Sequence, residues 1–244
     1  MASNDLSLRR QISCTTCGFV FLGVLFIGLF GTSALPPQSP NFAPDYVVGW
    51  LSDHRSLKLT GFAVTSVAIG LVMPLVTAIS MQMSRVEGRF PVLSVLQFAG
   101  GLVTWVTITI SMVILCVAAF RLERDQQMTQ FIVDFGWLLL FFVFSPFVMQ
   151  QIAIALVVFS DRSPNPVFPR WLGYFNIWVA LLFTPVVVMP FFKVGPFAYD
   201  GLLGFWIPTF VYGAWALGMA IMTRRAIYAQ IAAEEPIDLQ RDRV

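Results

Sequence analysis

The chain has 244 residues, of which 57% are hydrophobic and 11% charged, with a formal net charge of +2. A soluble domain carries about 25% charged residues, so this surplus of apolar surface excludes a water-soluble globule, and the small net charge excludes nucleic acid as a partner. Apolar runs long enough to cross a hydrocarbon core of roughly 30 Å recur along the sequence, which predicts an all-α, polytopic transmembrane bundle of about six helices in a lipid bilayer.

Residues 1–16 are polar, carry Arg9 and Arg10, and read as a cytoplasmic N-terminal segment. The first span is 17–35. Arg9 and Arg10 before it and Thr32-Ser33-Ala34 near its end also fit a cleaved signal peptide; the apolar stretch is long for one, and a retained helix is the expectation. Cys14-Thr15-Thr16-Cys17 has the CxxC spacing of redox or metal sites, but no second cysteine pair or nearby histidine completes a four-ligand set. Two ordinary thiols at the start of a helix are expected, and no metal or cofactor is assigned. In the loop that follows, Tyr46, Val47, Trp50, Leu51 and Leu57 have roughly helical spacing, with Asp53, His54, Arg55 and Lys58 among them. That predicts a short amphipathic helix in the outer interface, acting as a cap on the bundle or as a lid.

The remaining spans are 61–81, 91–120, 131–159, 171–192 and 202–223, so the six-helix domain is 17–223 and a cytoplasmic polar tail occupies 224–244. A short basic loop at 82–90 holds Arg85, Glu87 and Arg89. Spans two, four, five and six contain Pro74, Pro146, Pro185 with Pro190, and Pro208, which predict kinks; span three has Gly100-Gly101 instead. Membrane helices tolerate such breaks where neighbours satisfy the freed backbone. Transporters use them to build midplane sites, but no internal repeat is visible here, so kinks for packing are expected. Orientation follows the Lys and Arg distribution. Arg9, Arg10, Arg85, Arg89, Arg162, Arg170, Arg224, Arg225, Arg241 and Arg243 fall on one side, and Arg55, Lys58, Arg121, Arg124 and Lys193 on the other. This places both termini in the cytoplasm.

Charge inside a bilayer is costly, so an intramembrane ionisable group is a functional candidate. Asp134, near the outer end of span four, is the clearest case. Lys193 lies in PFFKVGPFAYDG, at the outer end of span five. One reading makes this stretch a tight hairpin whose lysine snorkels to the headgroups. The other pairs Lys193 with Asp134, and Asp200 with them, at an outward-facing cavity, because two charges at one depth cost less together than apart. Asp53, His54 and Arg55 would roof it. The result is a polar mouth on an apolar pocket, suited to a hydrophobic small molecule with one polar end. Asn176 joins the ligand-binding candidates, although it also fits interhelical hydrogen bonding, as do Gln97, Gln150 and Gln151. Thr104, Thr107 and Thr109 are expected to bond to their own helix backbone.

The single histidine excludes bis-His haem ligation within the bundle. There is no Walker motif, G-x-S-x-G or H-E-x-x-H, and no catalytic residue is assigned. The runs DFGWLL (134–139), PVFPRWLGYFNIWVALLF (166–183) and PFFKVGPFAYDGLLGFW (190–206) resemble a group of uncharacterised bacterial six-helix integral membrane proteins with no established function. The resemblance implies a bacterial cytoplasmic (inner) membrane and carries over no site residues. It does fall on Asp134, Arg170, Asn176, Lys193 and Asp200. The expected function is therefore a non-enzymatic binding or accessory subunit, with other membrane subunits as partners and a hydrophobic ligand in its outer half. The alternative is a small secondary carrier or channel gated by Asp134 and Lys193, and a membrane-embedded lipid-modifying enzyme is third. A carrier needs polar groups continuing to the inner side, and in the sequence these thin out there.

Overall fold

The computed structural model describes the backbone of residues 2–241 and the side chains of residues 6–234. Among these residues there are nine α-helices and no strand: α1 Ala2–Phe30, α2 Pro44–Ser52, α3 Arg55–Ala68, α4 Val72–Glu87, α5 Val92–Phe120, α6 Gln126–Phe142, α7 Ser145–Ser160, α8 Arg170–Phe183 and α9 Ile207–Arg241. Together with a 3-10 turn at Ile69–Leu71, a 3-10 segment at Thr184–Phe191 and a π turn at Leu202–Trp206 they make six apolar segments of membrane-spanning length. These are Leu6–Phe30, Arg55–Glu87, Val92–Phe120, Gln126–Ser160, Arg170–Phe191 and Leu202–Glu234. The protein is thus a multi-pass, all-α membrane protein. The chain reverses after each span. One end of the bundle, here the terminal end, carries both termini with the turns at 88–91 and 161–169. The distal end carries 31–54, 121–125 and 192–201.

The spans fall where the sequence places them, with four differences of detail. Residues 2–16 are not a separate polar segment but the start of α1. Their hydroxyls fold back onto the helix, as in Thr15 Oγ1 donating to Ile12 O at 2.8 Å, while Leu8 and Thr15 are buried. Span one stops at Phe30, not 35, and α1 packs against α3, α4 and α9. The single amphipathic helix expected over 46–58 is split at His54, whose φ of 50° is left-handed. Before the split, α2 buries Val47 and Leu51; after it, Arg55 and Lys58 open α3, so span two starts at Arg55. The Lys58 amine turns back to donate to the Asp53 carbonyl and lies 5.1 Å from the Trp50 ring centroid, where a cation suits the C-terminal end of α2. Finally, the expected tail is helical to Arg241 as part of α9; residues 242–244 lie outside the described ones.

The prolines mark full interruptions. Pro74 sits in the first turn of α4 behind the 3-10 turn, Pro146 opens α7 after a break at Val143 and Phe144, Pro185 opens the 3-10 segment that contains Pro190, and Pro208 opens α9 behind the π turn. A first turn has no use for the missing N–H, so proline fits there at little cost. The glycine pair does something else. Span three is unbroken, and Gly100 and Gly101 are points of close approach. A methyl group on Gly100 would lie 2.6 Å from the Pro146 carbonyl oxygen, and one on Gly101 would lie 2.6 Å from Val76 Cγ1 and 2.9 Å from Gln150 Nε2. Lipid is as apolar as leucine, so helices associate in it through such backbone contact rather than through water exclusion.

The terminal end is tied by local acceptors. Gly88, with φ 75°, ends α4, and Glu87 then accepts from the Leu93 and Ser94 amides at 2.8 and 2.7 Å, satisfying the first turn of α5. Asp161 accepts from the Ser163 amide and hydroxyl at 3.0 and 2.7 Å and from the Val167 amide at 2.8 Å. Burial pushes its carboxyl up, but these donors and the Arg85 charge more than offset that and hold it below the usual carboxylate range. Two cores form along the bundle. The terminal one contains Phe21, Leu75, Ile154 and Trp215, and the distal one Leu51, Phe62, Leu115 and Trp137. Val103, Val106, Ile110, Val113 and Val117 of α5 are exposed, as a lipid-facing stripe should be.

Gly101→Leu is expected to push α5 away from α4 and α7, at a cost of about 1–3 kcal/mol for overpacking. In detergent it lowers the melting temperature. Gly49→Leu on the exposed side of α2, where nothing stands within 4 Å of the new Cβ, leaves it unchanged. Equal melting temperatures for the two variants would refute the close-approach role.

Candidate functional site

Where the two cores meet, packing leaves a cavity of about 80 Å³. On this scale a water needs about 10–15 Å³, so the space takes several waters or one ring-sized group, and not a whole lipid. Every interruption reaches it: Ile69 from the first 3-10 turn, Val143 and Phe144 from the α6–α7 break, Phe183 from the end of α8 and Phe205 from the π turn all line it. A helix that stops or changes pitch ceases to fill the volume ahead of it, and here four such helices stop around one point. The unbroken α5 supplies a wall through Thr104, Thr107, Ile108 and Met112.

The lining is almost wholly apolar and contains no charged side chain. Thr104 and Thr107 donate to the carbonyls of Gly100 and Val103 at 2.8 and 2.9 Å, as the sequence suggests. Three other groups behave differently. Thr65 on α3, Trp137 on α6 and Thr209 on α9 also line the cavity, as does Tyr212 on α9, and Thr65 Oγ1, Trp137 Nε1 and Thr209 Oγ1 are buried with no hydrogen-bond partner. A buried unpaired donor costs about 1–3 kcal/mol.

Asp134 lies one turn distal to Trp137 on α6, on the same face. Its partner is Tyr199, whose hydroxyl donates to Asp134 Oδ1 at 2.7 Å. Tyr199 comes from the hairpin PFFKVGPFAYDG. Gly195 takes φ 87°, a conformation that favours glycine, and the Pro196 carbonyl accepts from the Leu203 and Gly204 amides at 2.7 and 3.1 Å. This tight turn drives Ala198 and Tyr199 inward, at 0% and 4% exposure, and leaves Phe192, Lys193 and Val194 exposed. The stretch is the tight hairpin of the first reading. Lys193 points outward, and its charge acts on Asp134, but among the described residues the two form no direct ion pair. Burial, then the Asp134 charge and the bond to it, hold the Tyr199 phenol far above its ordinary value.

The other expected site residues stand elsewhere. Asp200 is half-buried beside Tyr199 and not in the cavity wall. Asn176 is fully used as a tie between α8 and α9: Nδ2 donates to Leu172 O at 2.8 Å, and Oδ1 accepts from Trp215 Nε1 at 3.1 Å. His54 is exposed and lies 3.5 Å from Asp53. Arg55 donates to Ala119 O at 2.7 Å and to Phe120 O, capping α5, so it is committed to a helix end. The terminal half is more polar than the sequence suggests. Gln97 accepts from Ser80 across α4 and α5. Gln150 Nε2 and both amide atoms of Gln151 are buried without partners. Gln82 Nε2 donates to Gln11 at 2.8 Å and to Gln230 at 3.2 Å, joining α1, α4 and α9.

Sequence reasoning missed Tyr199, Thr65, Trp137 and Thr209. Tyr199 is adjacent to Asp200, and Trp137 is one turn from Asp134, so both were within reach of a helical-face argument. Nothing in the sequence separates Thr65 and Thr209 from the self-bonded Thr104 and Thr107.

The raised Tyr199 pKa has a definite sign. The folded state favours the protonated phenol, so its contribution is present below the unfolded value of about 10 and is lost as pH rises past it. Tyr199→Phe is expected to lower the melting temperature at pH 8, by a hydrogen bond worth on the order of 1 kcal/mol, and to flatten its decline between about pH 9 and 11. A variant with the wild-type alkaline profile would show that ionisation of the buried Tyr199 does not set that decline.

No protein-family model matches the chain, and no curated protein or solved structure does either.

Proposed function

We propose that this protein is a non-enzymatic binding or accessory subunit that retains a hydrophobic small molecule in the cavity between its two cores. The observation that carries this is one apolar cavity between the two cores, bordered by all four helix interruptions, whose wall includes Thr65, Thr104, Thr107, Trp137, Thr209 and Tyr212. The Asp134–Tyr199 pair one turn distal supplies the polar mouth, with Lys193 outside it. The lining holds no carboxylate, histidine or lysine for acid–base chemistry on a bound lipid; its one titratable side chain is the Tyr212 phenol. The Lys and Arg asymmetry and the resemblance noted above support a bacterial cytoplasmic membrane with both termini inside.

A carrier is the second reading. It is favoured by Gln150, one turn from the cavity residue Phe147 on α7, whose buried Nε2 is unpaired. Against it, the tightly packed terminal core and the Gln11–Gln82–Gln230 tie close the other end of α1, α4 and α9.

Native mass spectrometry of protein purified in mild detergent, with extraction of small molecules, tests the binding reading. Wild type is expected to retain a defined hydrophobic molecule. Ile108→Trp, which fills the cavity from α5, is expected to lose it while melting as a folded protein. Asp134→Asn with Lys193→Met is expected to retain less. Retention of the same molecule by wild type and Ile108→Trp alike, or by neither, would overturn the reading.

A further inference from the structure

We infer that residues 193–205, the distal hairpin with the start of the π turn, form a lid over the distal side of the cavity, latched shut by Tyr199 on Asp134; this rests on the cavity being the binding site proposed above.

The backbone of this segment closes on itself. Ala198 N donates to Gly195 O at 3.3 Å, Gly201 N to Ala198 O at 2.8 Å, Leu203 and Gly204 N to Pro196 O at 2.7 and 3.1 Å, and Phe205 N to Gly201 O at 2.9 Å. Among the described residues no backbone hydrogen bond joins it to α1–α8. The unit is also compact. A methyl group on Gly201 would lie 2.3 Å from Gly195 O, and one on Gly204 would lie 2.1 Å from Ala198 O. A segment that meets its own backbone bonds moves as one body without baring them to hydrocarbon.

Side chains hold it to α6. Tyr199 donates to Asp134 at 2.7 Å, the one side-chain hydrogen bond from the segment to α6 among the described residues. The Phe205 ring stands edge-on to Trp137 and Phe141, with centroids 6.0 and 5.4 Å apart. Trp137, Phe141 and Phe205 all line the cavity, so moving the segment off α6 removes part of the wall. The rest of the wall, including Thr65 on α3, Thr104 and Thr107 on α5 and the Tyr212 phenol on α9, belongs to helices outside the segment and stays in place.

Both joints suit a hinge, which takes up its angle in a few residues at the ends of elements. Phe192 is extended between the 3-10 segment and the hairpin. At the other joint the π turn Leu202–Trp206 leads into α9, and single π turns recur where function needs a local change of pitch. Phe191, Phe192, Val194 and Leu202 are exposed around Lys193. The lid is thus set in the distal lipid interface, with its lysine reaching for the headgroups, and a molecule passing beneath it comes from the bilayer.

Opening is read by a thiol placed in the wall. In a chain carrying Cys14→Ala, Cys17→Ala and Cys116→Ala, Met112→Cys puts a thiol at a buried lining position on α5, and Ile154→Cys puts one in the terminal core. N-ethylmaleimide, a neutral single ring, is reacted with each in the detergent-purified full chain, and intact-protein mass spectrometry gives the rates. Tyr199→Phe removes the latch and keeps the ring. It is expected to speed alkylation at Met112→Cys about fivefold, the change in an open–closed ratio on losing one hydrogen bond, and to leave Ile154→Cys as slow as before. Should Met112→Cys not fold, Ile108→Cys reports from the same helix and wall. An unchanged rate at the wall in Tyr199→Phe overturns the lid, as does no alkylation there with or without Tyr199. Equal acceleration at the wall and at Ile154→Cys shows general loosening and overturns it too. None of these outcomes alters the retention of a molecule by wild type and its loss in Ile108→Trp, so the cavity reading stands or falls separately.

Discussion

Inside hydrocarbon a backbone amide has only protein to bond to, so a spanning helix is free to break only where neighbours close around the break. That constraint organises this molecule. The turn at Ile69–Leu71, the gap at Val143 and Phe144, the end of α8 and the π turn at Leu202–Trp206 lie on four different spans, yet all reach one place. Proline explains why each helix can restart: it occupies a first turn, where its missing N–H is not needed. It does not explain why the restarts coincide. That follows from α5, which runs unbroken and draws α4 and α7 close at Gly100 and Gly101, so that the interrupted spans are gathered along one continuous helix.

Polarity is graded along the bundle. At the distal end the charges of Lys193, Asp200 and Asp134 stand close together, with Tyr199 bonded to the last of them. A turn deeper only neutral donors remain. Deeper still, buried amides and indoles bond helix to helix, as Trp215 does with Asn176.

The span count and the sites of interruption were legible in the sequence, because apolar length and proline each act through local physics. The hairpin was legible too, from Gly195-Pro196 and Asp200-Gly201. What was not legible depended on partners far away in the chain. Arg55 looks like part of a roof until α5 ends beside it. Asn176 looks free until Trp215 takes its oxygen. The split of the early helix at His54 is a left-handed backbone choice by a residue other than glycine, which no hydrophobic period records. Thr65 and Thr209 matter only because a void lies beside them, and a void is the joint property of helices separated by most of the sequence.

The first and last spans are neighbours. Phe21 of α1 meets the Tyr212 ring of α9 with centroids 6.3 Å apart, and Gly18 faces Ala220. α9 is one flank of α1, whose Leu25 and Leu29 line the cavity together with Thr209 and Tyr212. A piece of the chain that stops before α9 therefore lacks Thr209 and Tyr212 and the part of the cavity wall they form.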